Sequence, residues 1–315
     1  MKTKVVVVGG AGFIGSNLVR ALVKKNFNVH VVDNLSAGKK ENVDRKAKLH
    51  KVDIRNAKKL GPIFKGATYV FHLAAMPRVQ VSIQNPRETH DINVNGTLNV
   101  FIAAHQAGVK KVIYSASSSA YGDQETFPLH EGLPANPKSP YGLQKYIGEM
   151  MLRVWSQVYG LPGVSLRYFN VYGPGQSEKG EYALVIGKFL RQKREGLPLS
   201  ITGDGEQTRD FTSVHDVVRA NILAAETKAA TGGEVINIGA GDNRTINSVA
   251  EIIGGPKKYI PARLEPRHNK ADNQKAFKIL GWKPEVKLED GIKELIELEK
   301  QMFSTSDKRK AKKKK

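Results

Sequence analysis

The chain has 315 residues, of which 40% are hydrophobic and 25% charged, and its formal net charge is +20. It contains no cysteine, which excludes disulfides, thiol catalysis and cysteine-type metal sites. Its eight histidines show neither HxxxH nor HExxH spacing, so we expect no metal site. The apolar run near the N-terminus is too short for a signal peptide, and no run is long enough to cross a bilayer. We therefore expect a cytoplasmic protein without membrane insertion.

The charge is unevenly distributed. Seven of the positive charges lie in residues 308–315, which leaves +13 on the rest of the chain. A lysine-rich end is typical of a solvated, disordered tail, which we place at 304–315. Attraction to nucleic acid or to an anionic membrane is the alternative, although no specific nucleic-acid partner is expected.

The first half of the chain alternates short β-branched runs with segments of helical character. Strands are predicted near residues 4–8, 28–33, 47–53, 68–72, 109–115 and 163–168, and helices near 13–25, 56–64, 84–107 and 140–159. Continuous apolar strands that alternate with helices are typical of a parallel sheet covered on both faces. We therefore predict an α/β fold with a Rossmann-type, doubly wound parallel sheet.

From about residue 169 the pattern changes to loops rich in glycine and proline. Here the sequence predicts isolated short strands near 199–202 and 234–238, and helices near 182–194, 214–227, 245–253, 273–280 and 288–302. This part is expected to form a second, smaller C-terminal lobe over the carboxyl edge of the sheet.

A glycine-rich turn, Gly9-Gly10-Ala11-Gly12-Phe13-Ile14-Gly15, links the first strand to the first helix. Glycines here allow a tight turn, let a pyrophosphate approach the backbone and permit close packing of helix on strand. The helix N-terminus offers unpaired N–H groups to phosphate. Asp33 ends the second strand, where a carboxylate accepts hydrogen bonds from the adenosine ribose and repels a 2′-phosphate. The pattern indicates NAD rather than NADP, a preference that Lys39 and Lys40 nearby weaken.

Three further predicted strands end at the same crevice, where open α/β sheets bind ligands. Asp53-Ile54 ends the third strand, Leu73-Ala74-Ala75 the fourth and Ser115–Gly122 the fifth. The small residues after the fourth strand either admit a cofactor to the backbone or only permit tight packing. The serines are either turn formers or part of an active edge.

Tyr141 and Lys145 lie four residues apart in a segment that Pro140 opens as a helix, so they share one helix face. A free tyrosine has a pKa near about 10 and is a poor base at neutral pH, but a nearby ammonium favours the phenolate. The pair is therefore a candidate acid/base and the cation that tunes it. The same spacing is also common on ordinary amphipathic helices.

With these motifs together, the chain resembles the extended short-chain dehydrogenases/reductases, specifically the nucleotide-sugar epimerases of the UDP-glucose 4-epimerase type. The resemblance runs from about residue 3 to about residue 300. Besides the motifs above, the matching signatures are Asn93-Val94-Asn95-Gly96-Thr97, Arg167–Pro174, Gly203–Phe211 and Gly281-Trp282-Lys283-Pro284.

The resemblance implies NAD as cofactor, with Tyr141 as catalytic base, Lys145 holding the nicotinamide ribose, and Ser117 bonding the reacting sugar hydroxyl. The implied cofactor-binding residues are Gly9, Gly12, Phe13, Ile14, Gly15, Asp33, Asn34, Asp53, Ile54, Leu73, Ala74, Ala75, Asn93, Ser115, Tyr141, Lys145 and Tyr168. The implied substrate-binding residues are Ser117, Tyr141, Asn170, Arg209, Arg267 and Asn269. Arginine forks suit a diphosphate. For Arg209, a salt bridge to Asp210 or Asp216 is the alternative.

The implied reaction is inversion at C4 of a UDP-hexose through a 4-keto intermediate, with UDP-glucose and UDP-galactose as first choice. The related dehydratases and decarboxylases carry an acidic residue just after the catalytic Ser or Thr. Here Ser118 and Ser119 follow Ser117, which favours simple epimerisation. Asn269 matches the position that screens the C2 substituent and could admit an N-acetyl group, and Arg78 could meet a glucuronate carboxylate. An NAD-binding scaffold with a nucleic-acid-binding tail is the non-enzyme alternative.

The resemblance also implies a domain division and a homodimer. Residues 1–168 with about 212–238 would form the NAD-binding Rossmann domain, and 169–211 with 239–303 the substrate-binding lobe. The predicted helices near 84–107 and 140–159 match those of the four-helix dimer interface in this family, or else they face only the core.

Overall fold

A computed structural model of the chain describes residues 2–178, 183–262 and 267–312, with side chains up to residue 301. The strands are β1 (Lys4–Val8), β2 (Asn28–Asp33), β3 (Lys48–Lys51), β4 (Tyr69–His72), β5 (Lys111–Ser117), β6 (Gly163–Tyr168), β7 (Val171–Tyr172), β8 (Leu199–Thr202), β9 (Thr208–Asp210), β10 (Thr212–Ser213), β11 (Gly232–Ile238), β12 (Asn243–Thr245) and β13 (Lys257–Ile260). The α-helices are α1 (Phe13–Lys24), α2 (Ala57–Phe64), α3 (Val79–Gln84), α4 (Pro86–His90), α5 (Gly96–Gln106), α6 (Pro140–Val158), α7 (Val185–Arg194), α8 (Val214–Glu226), α9 (Ile246–Ile253), α10 (Gln274–Leu280) and α11 (Leu288–Lys312).

Seven strands form one parallel sheet in the order β11-β6-β5-β4-β1-β2-β3. This order, 3-2-1-4-5-6 with one added strand, is that of a doubly wound Rossmann sheet, so the predicted fold class is confirmed. The prediction of an isolated strand near 234–238 is wrong. That segment is β11, which pairs with β6 along its length and forms an edge of the main sheet.

Both faces of the sheet are covered, because alternate residues of each strand point to opposite sides. In β1, Val5 and Val7 belong to a buried cluster with α1, α8 and α10, whereas Val6 and Val8 belong to a cluster with α2, α5 and α6. Each such fully buried side chain stabilises the fold by about 1.5–3 kcal/mol relative to exposure. The valines of β1 therefore pack on both faces of the sheet, and the strand ends buried at the turn that follows.

The remaining chain packs as a smaller cluster with its own core. Its apolar residues come mainly from α7, β8, α9 and α11, and they include Phe189, Ile201, Val249 and Ile292. Short ladders join β8 to β13, β9 to β12 and β7 to β10. The division of the chain into two domains stays a prediction.

Several predicted element boundaries change. The helix predicted near 84–107 is interrupted, because Pro86 starts α4 and holds Asn85 outside the helical region, and a π-helical turn at Asp91–Asn95 follows. The third strand ends at Lys51, so Asp53 lies in the loop beyond it. The last helix extends past its predicted end near 302 to Lys312, within the segment predicted as a disordered tail.

Candidate active site

The turn between β1 and α1 forms a backbone cradle at the carboxyl edge of the sheet. Gly9 has a φ of +85°, and a Cβ there would lie 2.5 Å from the nitrogen of Ala74. A Cβ at Gly15 would lie 2.1 Å from the Gly9 oxygen, so only glycine fits at either position. At Gly12 a Cβ would meet only the Gly9 oxygen, at 3.4 Å, and no side chain among the described residues caps α1. This open side of the turn fits a pyrophosphate, which the helix dipole and free N–H groups stabilise.

Asp33 is fixed against this turn. Its Oδ2 accepts a hydrogen bond from the Ala11 N–H (2.9 Å), and its Oδ1 accepts one from the Leu35 N–H (2.8 Å). Asn34 donates to Oδ2 of Asp53 (3.0 Å) and so joins the loops after β2 and β3. The structure therefore groups the residues predicted for the adenosine end of the cofactor, while their contact with a cofactor stays a prediction.

Other predicted cofactor residues are engaged with the protein itself. Arg55 binds Asp53 and holds the pKa of its carboxyl well below the usual range. Ile54 is buried in the core, and Phe13 and Ile14 begin α1 and pack partly buried against the other core cluster. Within Leu73–Ala75, the first two amides donate to the last carbonyl of β1 (2.8 and 2.9 Å). These bonds hold the segment close to β1, and its contact with a cofactor stays a prediction.

The Asn93 side chain is engaged with the protein itself, and its contact with a cofactor stays a prediction. Its Oδ1 accepts from the Met76 N–H (2.7 Å), and its Nδ2 donates to the Met76 carbonyl (3.1 Å) and to Gln144 Oε1 (2.8 Å). Both N–H groups of the amide are thus used, which leaves no side-chain donor for a cofactor. Asn93 instead fixes the loop that leads to Arg78, and ties it to α6 beside Lys145.

The candidate catalytic pair stands at the start of α6. The Ser139 hydroxyl accepts from the Gly142 N–H (3.1 Å) and caps the helix, and Pro140 occupies its first position. The Tyr141 N–H donates to the Ser82 hydroxyl (3.0 Å), which attaches the first turn of α6 to α3. Two separate contacts therefore hold Tyr141 in place, and Lys145 follows one helical turn later on the same face.

Ser117 and Lys145 converge on this tyrosine from the end of β5. The Ser117 hydroxyl is a hydrogen-bond partner of the Tyr141 phenol, and it also donates to the Ser119 hydroxyl (3.1 Å). Lys145 is buried, and its Nζ donates to the Ser115 carbonyl (2.8 Å). The three residues predicted to be catalytic are thus within one small cluster.

The charges around Tyr141 differ from the sequence-based expectation. Burial raises the pKa of the Tyr141 phenol, and the Ser117 hydrogen bond and the charge of Arg78 lower it. The sequence assigned the lowering to Lys145, whose Nζ is turned to the Ser115 carbonyl instead. The cation whose charge lowers the pKa of the phenol in this structure is Arg78, which the sequence considered only as a partner for a substrate carboxylate.

The buried lysine gives a pH-dependent prediction. Burial lowers the pKa of Lys145 to about 8 from its ordinary value of 10.5, and Glu149 opposes the shift. Between these pH values the unfolded chain binds more protons than the native state, so this group adds about 1.4 kcal/mol of stability per pH unit as the pH rises. Lys145→Met lacks this titration. The unfolding free energy of wild type minus that of Lys145→Met, from urea denaturation at pH 8, 9 and 10, should therefore rise; a flat difference would contradict the assignment.

Tyr168 and Ser115 bind each other beneath this cluster. Their hydroxyls are 3.0 Å apart, and the Tyr168 hydroxyl also contacts the Asn221 amide, with Nδ2 at 2.8 Å. Burial raises the pKa of Tyr168 to about 12. The hydroxyl of Tyr168 is therefore engaged inside the protein, and its ring remains available for the predicted contact with the nicotinamide end.

Three of the predicted substrate residues meet around β9. Asn170 has a φ of 20° and donates from Nδ2 to the Asp210 carbonyl (3.2 Å). Arg209 donates to the Thr208 carbonyl (2.8 Å). Asn269 lies two residues before Ala271, whose N–H donates to the Asp210 carboxylate, and the Asn269 Oδ1 is buried with no hydrogen-bond partner among the described residues. An unpartnered buried acceptor of this kind suits a ligand donor.

Arg267 and Arg209 differ in their surroundings. The Arg267 guanidinium binds the Asp204 carboxylate through two contacts (3.0 and 2.7 Å), and both side chains are more than half exposed. A diphosphate role for Arg267 would require this ion pair to open. For Arg209, the carboxylates proposed as alternative partners have other neighbours: Asp210 accepts backbone N–H groups, and Asp216 binds Arg219.

The sequence analysis assigned no binding or positioning role to several residues that shape this site. Ser82, Ser139 and Ser119 contact the catalytic cluster, and Asp210 joins the segments around Arg209. Only Ser139 had a usable local signal, a serine directly before proline at a helix start.

The described part of the chain contains neither a metal-ligand cluster nor a membrane-spanning helix. No group of three or more His, Asp or Glu side chains there could hold a metal ion. Within the same residues, no helix has the length and apolar character of a membrane span.

Comparisons with known proteins agree with this geometry. The model of the NAD dependent epimerase/dehydratase family matches residues 5–239. A putative UDP-glucose 4-epimerase of Methanocaldococcus jannaschii is 39% identical over 303 residues, covering 93% of this chain and 97% of the relative. A solved UDP-N-acetylglucosamine 4-epimerase of Methanobrevibacter ruminantium is 40% identical, with a TM-score of 0.90 over 94% of this chain and 98% of its own. A Bacillus cereus UDP-glucuronic acid 4-epimerase, solved with UDP-glucuronic acid and NAD, is 32% identical, with a TM-score of 0.87 over 95% and 100% of the two chains.

The glycine cradle and Asp33 fit a dinucleotide, and the family model and the relatives agree on which one. The chain therefore belongs to the NAD-dependent epimerase/dehydratase family, as an enzyme of its UDP-sugar 4-epimerase group with NAD as cofactor.

Proposed function

We propose that the protein inverts C4 of a UDP-hexose, with UDP-glucose and UDP-galactose as its main substrates. The observation that carries this proposal is the cluster of Ser117, Tyr141 and Lys145 at the end of β5, followed by serines rather than by a carboxylate. NAD supplies the redox chemistry, because its nicotinamide accepts a hydride and returns it. A cytoplasmic location and a place in galactose metabolism belong to the same proposal.

The protein's own part is to bind, orient and move a proton. In its ionised form, the phenolate of Tyr141 takes the proton of the sugar 4-hydroxyl and becomes the neutral phenol, and Ser117 holds that hydroxyl within reach. Burial opposes ionisation of the phenol, so the positive charge of Arg78 and the Ser117 hydrogen bond have to offset it. Lys145, held by the Ser115 carbonyl, would add its charge and a hydrogen bond to the cofactor ribose.

The residues after Ser117 argue against elimination or decarboxylation. Such chemistry needs a further acid/base group beside the catalytic hydroxyl. In this chain the next residues are Ser118 and Ser119, and the Ser119 hydroxyl is already hydrogen-bonded to Ser117. This supports epimerisation over the dehydratase and decarboxylase alternatives.

The choice of sugar depends on the residues predicted to contact its substituents, Asn269 and Arg78. The buried Oδ1 of Asn269 could accept a hydrogen bond from a C2 hydroxyl or from an acetamido N–H, and asparagine leaves more room than an aromatic residue. The N-acetylated pair is therefore the second candidate. UDP-glucuronate is a third, because the charge of Arg78 acts on Tyr141 and could also attract the glucuronate carboxylate.

A panel of UDP-sugars tests the function. Purified protein would be denatured to detect released NAD, and native protein would be incubated with UDP-glucose, UDP-N-acetylglucosamine and UDP-glucuronate while NMR follows the products. We expect C4 epimers, with UDP-glucose converted fastest. A stable 4-keto-6-deoxy sugar or a pentose would overturn the proposal, and fastest conversion of another substrate would replace the first-choice sugar.

We also propose that the protein is a homodimer. Large apolar side chains are exposed along one side of α6 and on the adjacent α3: Leu143, Met150, Val154, Val158, Val79 and Ile83. Those on α6 recur at helical spacing and form one stripe. A second copy that places its own α6 here would bury this stripe, as contiguous exposed apolar surface generally requires.

The dimer gives a direct prediction. Val154→Glu puts a charge in the middle of the α6 stripe, where the side chain is 48% exposed in the single chain. Because a charge buried without a partner is costly, we expect the variant to run as a monomer in analytical ultracentrifugation at a concentration where wild type is dimeric. Phe277→Glu is the matched control, since Phe277 is 62% exposed on α10, away from the stripe, and should leave the dimer unchanged. A monomeric wild type, or a dimeric Val154→Glu, would reject the proposed interface.

A further inference from the structure

Asp210, at the end of β9, is a buried carboxylate that accepts hydrogen bonds from backbone N–H groups of separate segments. Its Oδ1 accepts the Ala240 N–H (2.7 Å), and its Oδ2 accepts the N–H groups of Gly241 and Ala271 (both 2.9 Å). The Thr212 hydroxyl is a weaker partner of Oδ1, at 3.4 Å. The side chain is 0% exposed, so these bonds are made away from water.

The segments that Asp210 joins carry the predicted nucleotide-binding residues. Arg209 precedes it directly, and Asn170 donates to its backbone carbonyl (3.2 Å). Asn269 lies two residues before Ala271, whose N–H bonds Oδ2. Asp210 thus joins these segments in two ways: its carboxylate holds the Ala271 segment that carries Asn269, and its backbone carbonyl accepts from Asn170.

Glycines in the loop around residues 239–241 allow its backbone to approach this carboxylate closely. A Cβ at Gly239 would lie 2.3 Å from the Cβ of Ala271 and 3.1 Å from Oδ2 of Asp210, and Gly241 has a φ of +70°. Glycine at both places lets two backbones approach one side chain. The loop also follows β11, so the same contact ties the small cluster around β9 to the edge of the main sheet.

We propose that Asp210 is a positioning residue for the nucleotide part of the substrate: it sets the distance of Arg209 and Asn170 from Asn269. This inference rests on the proposed UDP-sugar substrate. Burial raises the pKa of Asp210 to about 6, although the hydrogen bonds from its three backbone donors lower it. The carboxylate is therefore mainly ionised at neutral pH. Replacing it by the isosteric amide removes one acceptor oxygen and turns an N–H₂ group toward backbone N–H groups.

Asp216→Asn is the control for Asp210→Asn, because it also replaces a buried carboxylate by an amide but in a different part of the chain. Asp216 is also buried and accepts backbone N–H groups, those of Glu285 and Val286, but these lie in the segment before α11. Both variants should lose thermal stability. Only Asp210→Asn should weaken the binding of UDP to NAD-loaded protein at least tenfold in calorimetry, and raise KM at least tenfold while kcat changes less than threefold. Unchanged UDP affinity in Asp210→Asn, or an equal loss in Asp216→Asn, would overturn the proposal.

Hydrogen exchange in the wild-type protein provides a test that does not depend on how well a variant folds. A ligand that uses the ordered arrangement must stabilise it, so saturating UDP should slow exchange in peptides that contain residues 239–241 and 270–272. Peptides that contain residues 285–286, held by Asp216, should not change. Exchange that is unaffected at 239–241 and 270–272 while UDP binds would reject the positioning role. Wild-type protein that does not bind UDP would overturn the proposed function and, with it, this inference.

Discussion

Tyr141→Phe should fold and bind NAD, yet turn over a UDP-sugar about 10²–10⁴ times more slowly than wild type, the range expected for loss of a general acid/base. The substitution removes only the hydroxyl, whose partners are Ser117 and the charge of Arg78. The backbone contact of Tyr141 with Ser82 does not involve the side chain, so the start of α6 should be retained. The measurement is kcat with the best substrate of the panel, together with the NAD content of the purified variant.

Tyr146→Phe is the control for this variant. Tyr146 directly follows Lys145 on the same helix and has the same side chain as Tyr141, but it takes no part in the Ser117 cluster. Its replacement should leave kcat within about twofold, because a substitution away from the site usually has little effect. Comparable kcat for Tyr141→Phe and wild type would remove Tyr141 from the mechanism.

The parts of the site that the sequence predicts well are those set by local rules. The turn from Gly9 to Gly15 is recognisable because glycine is required by backbone geometry within a few residues. Asp33 is recognisable because its position follows from the length of one βαβ unit. The start of α6 is likewise fixed by Ser139 and Pro140, which are adjacent to Tyr141 in the chain.

The parts of the site that the sequence does not reveal are contacts between distant segments. Asn93 carries a family motif, but its amide is used by Met76 and Gln144, far apart in sequence. Tyr168 is likewise occupied by Asn221, on α8. No local sequence pattern predicts such hydrogen-bond partners, because each contact forms only when helices and strands pack together. Strand β11 shows the same limit, since its place beside β6 is a matter of sheet topology.

Arg167→Met is expected to destabilise the protein by about 3–5 kcal/mol, the usual result of removing one partner of a buried ion pair. Arg167 donates to both carboxylate oxygens of Glu149 (2.8 and 2.6 Å), and the two side chains are only 4% and 1% exposed. The guanidinium also lies 4.4 Å from the ring centre of Tyr121. Methionine keeps much of the volume but leaves the carboxylate without its partner. The free energy of unfolding from urea denaturation measures the loss.

Arg244→Met is the matched control, because Arg244 forms ion pairs with Asp242 and Glu289 and these three side chains are 33%, 59% and 46% exposed. It should cost less than about 1 kcal/mol, as solvent-exposed pairs do. Equal losses in the two variants would show that the Arg167–Glu149 pair does not act as a buried ion pair.

The loss caused by Arg167→Met should also depend on pH, in a direction that the burial of Glu149 fixes. Burial raises the pKa of Glu149, and Arg167 opposes that rise, so the variant's carboxyl should hold its proton to a higher pH still. Where the native state binds more protons than the unfolded chain, stability falls as the pH rises. The gap between wild type and Arg167→Met should therefore widen from pH 5 to pH 8, and a constant gap would argue against a buried charge. Glu149 also raises the pKa of Lys145, which lies one turn earlier on α6. Protonation of Glu149 at the lower pH would therefore lower the pKa of this active-site lysine.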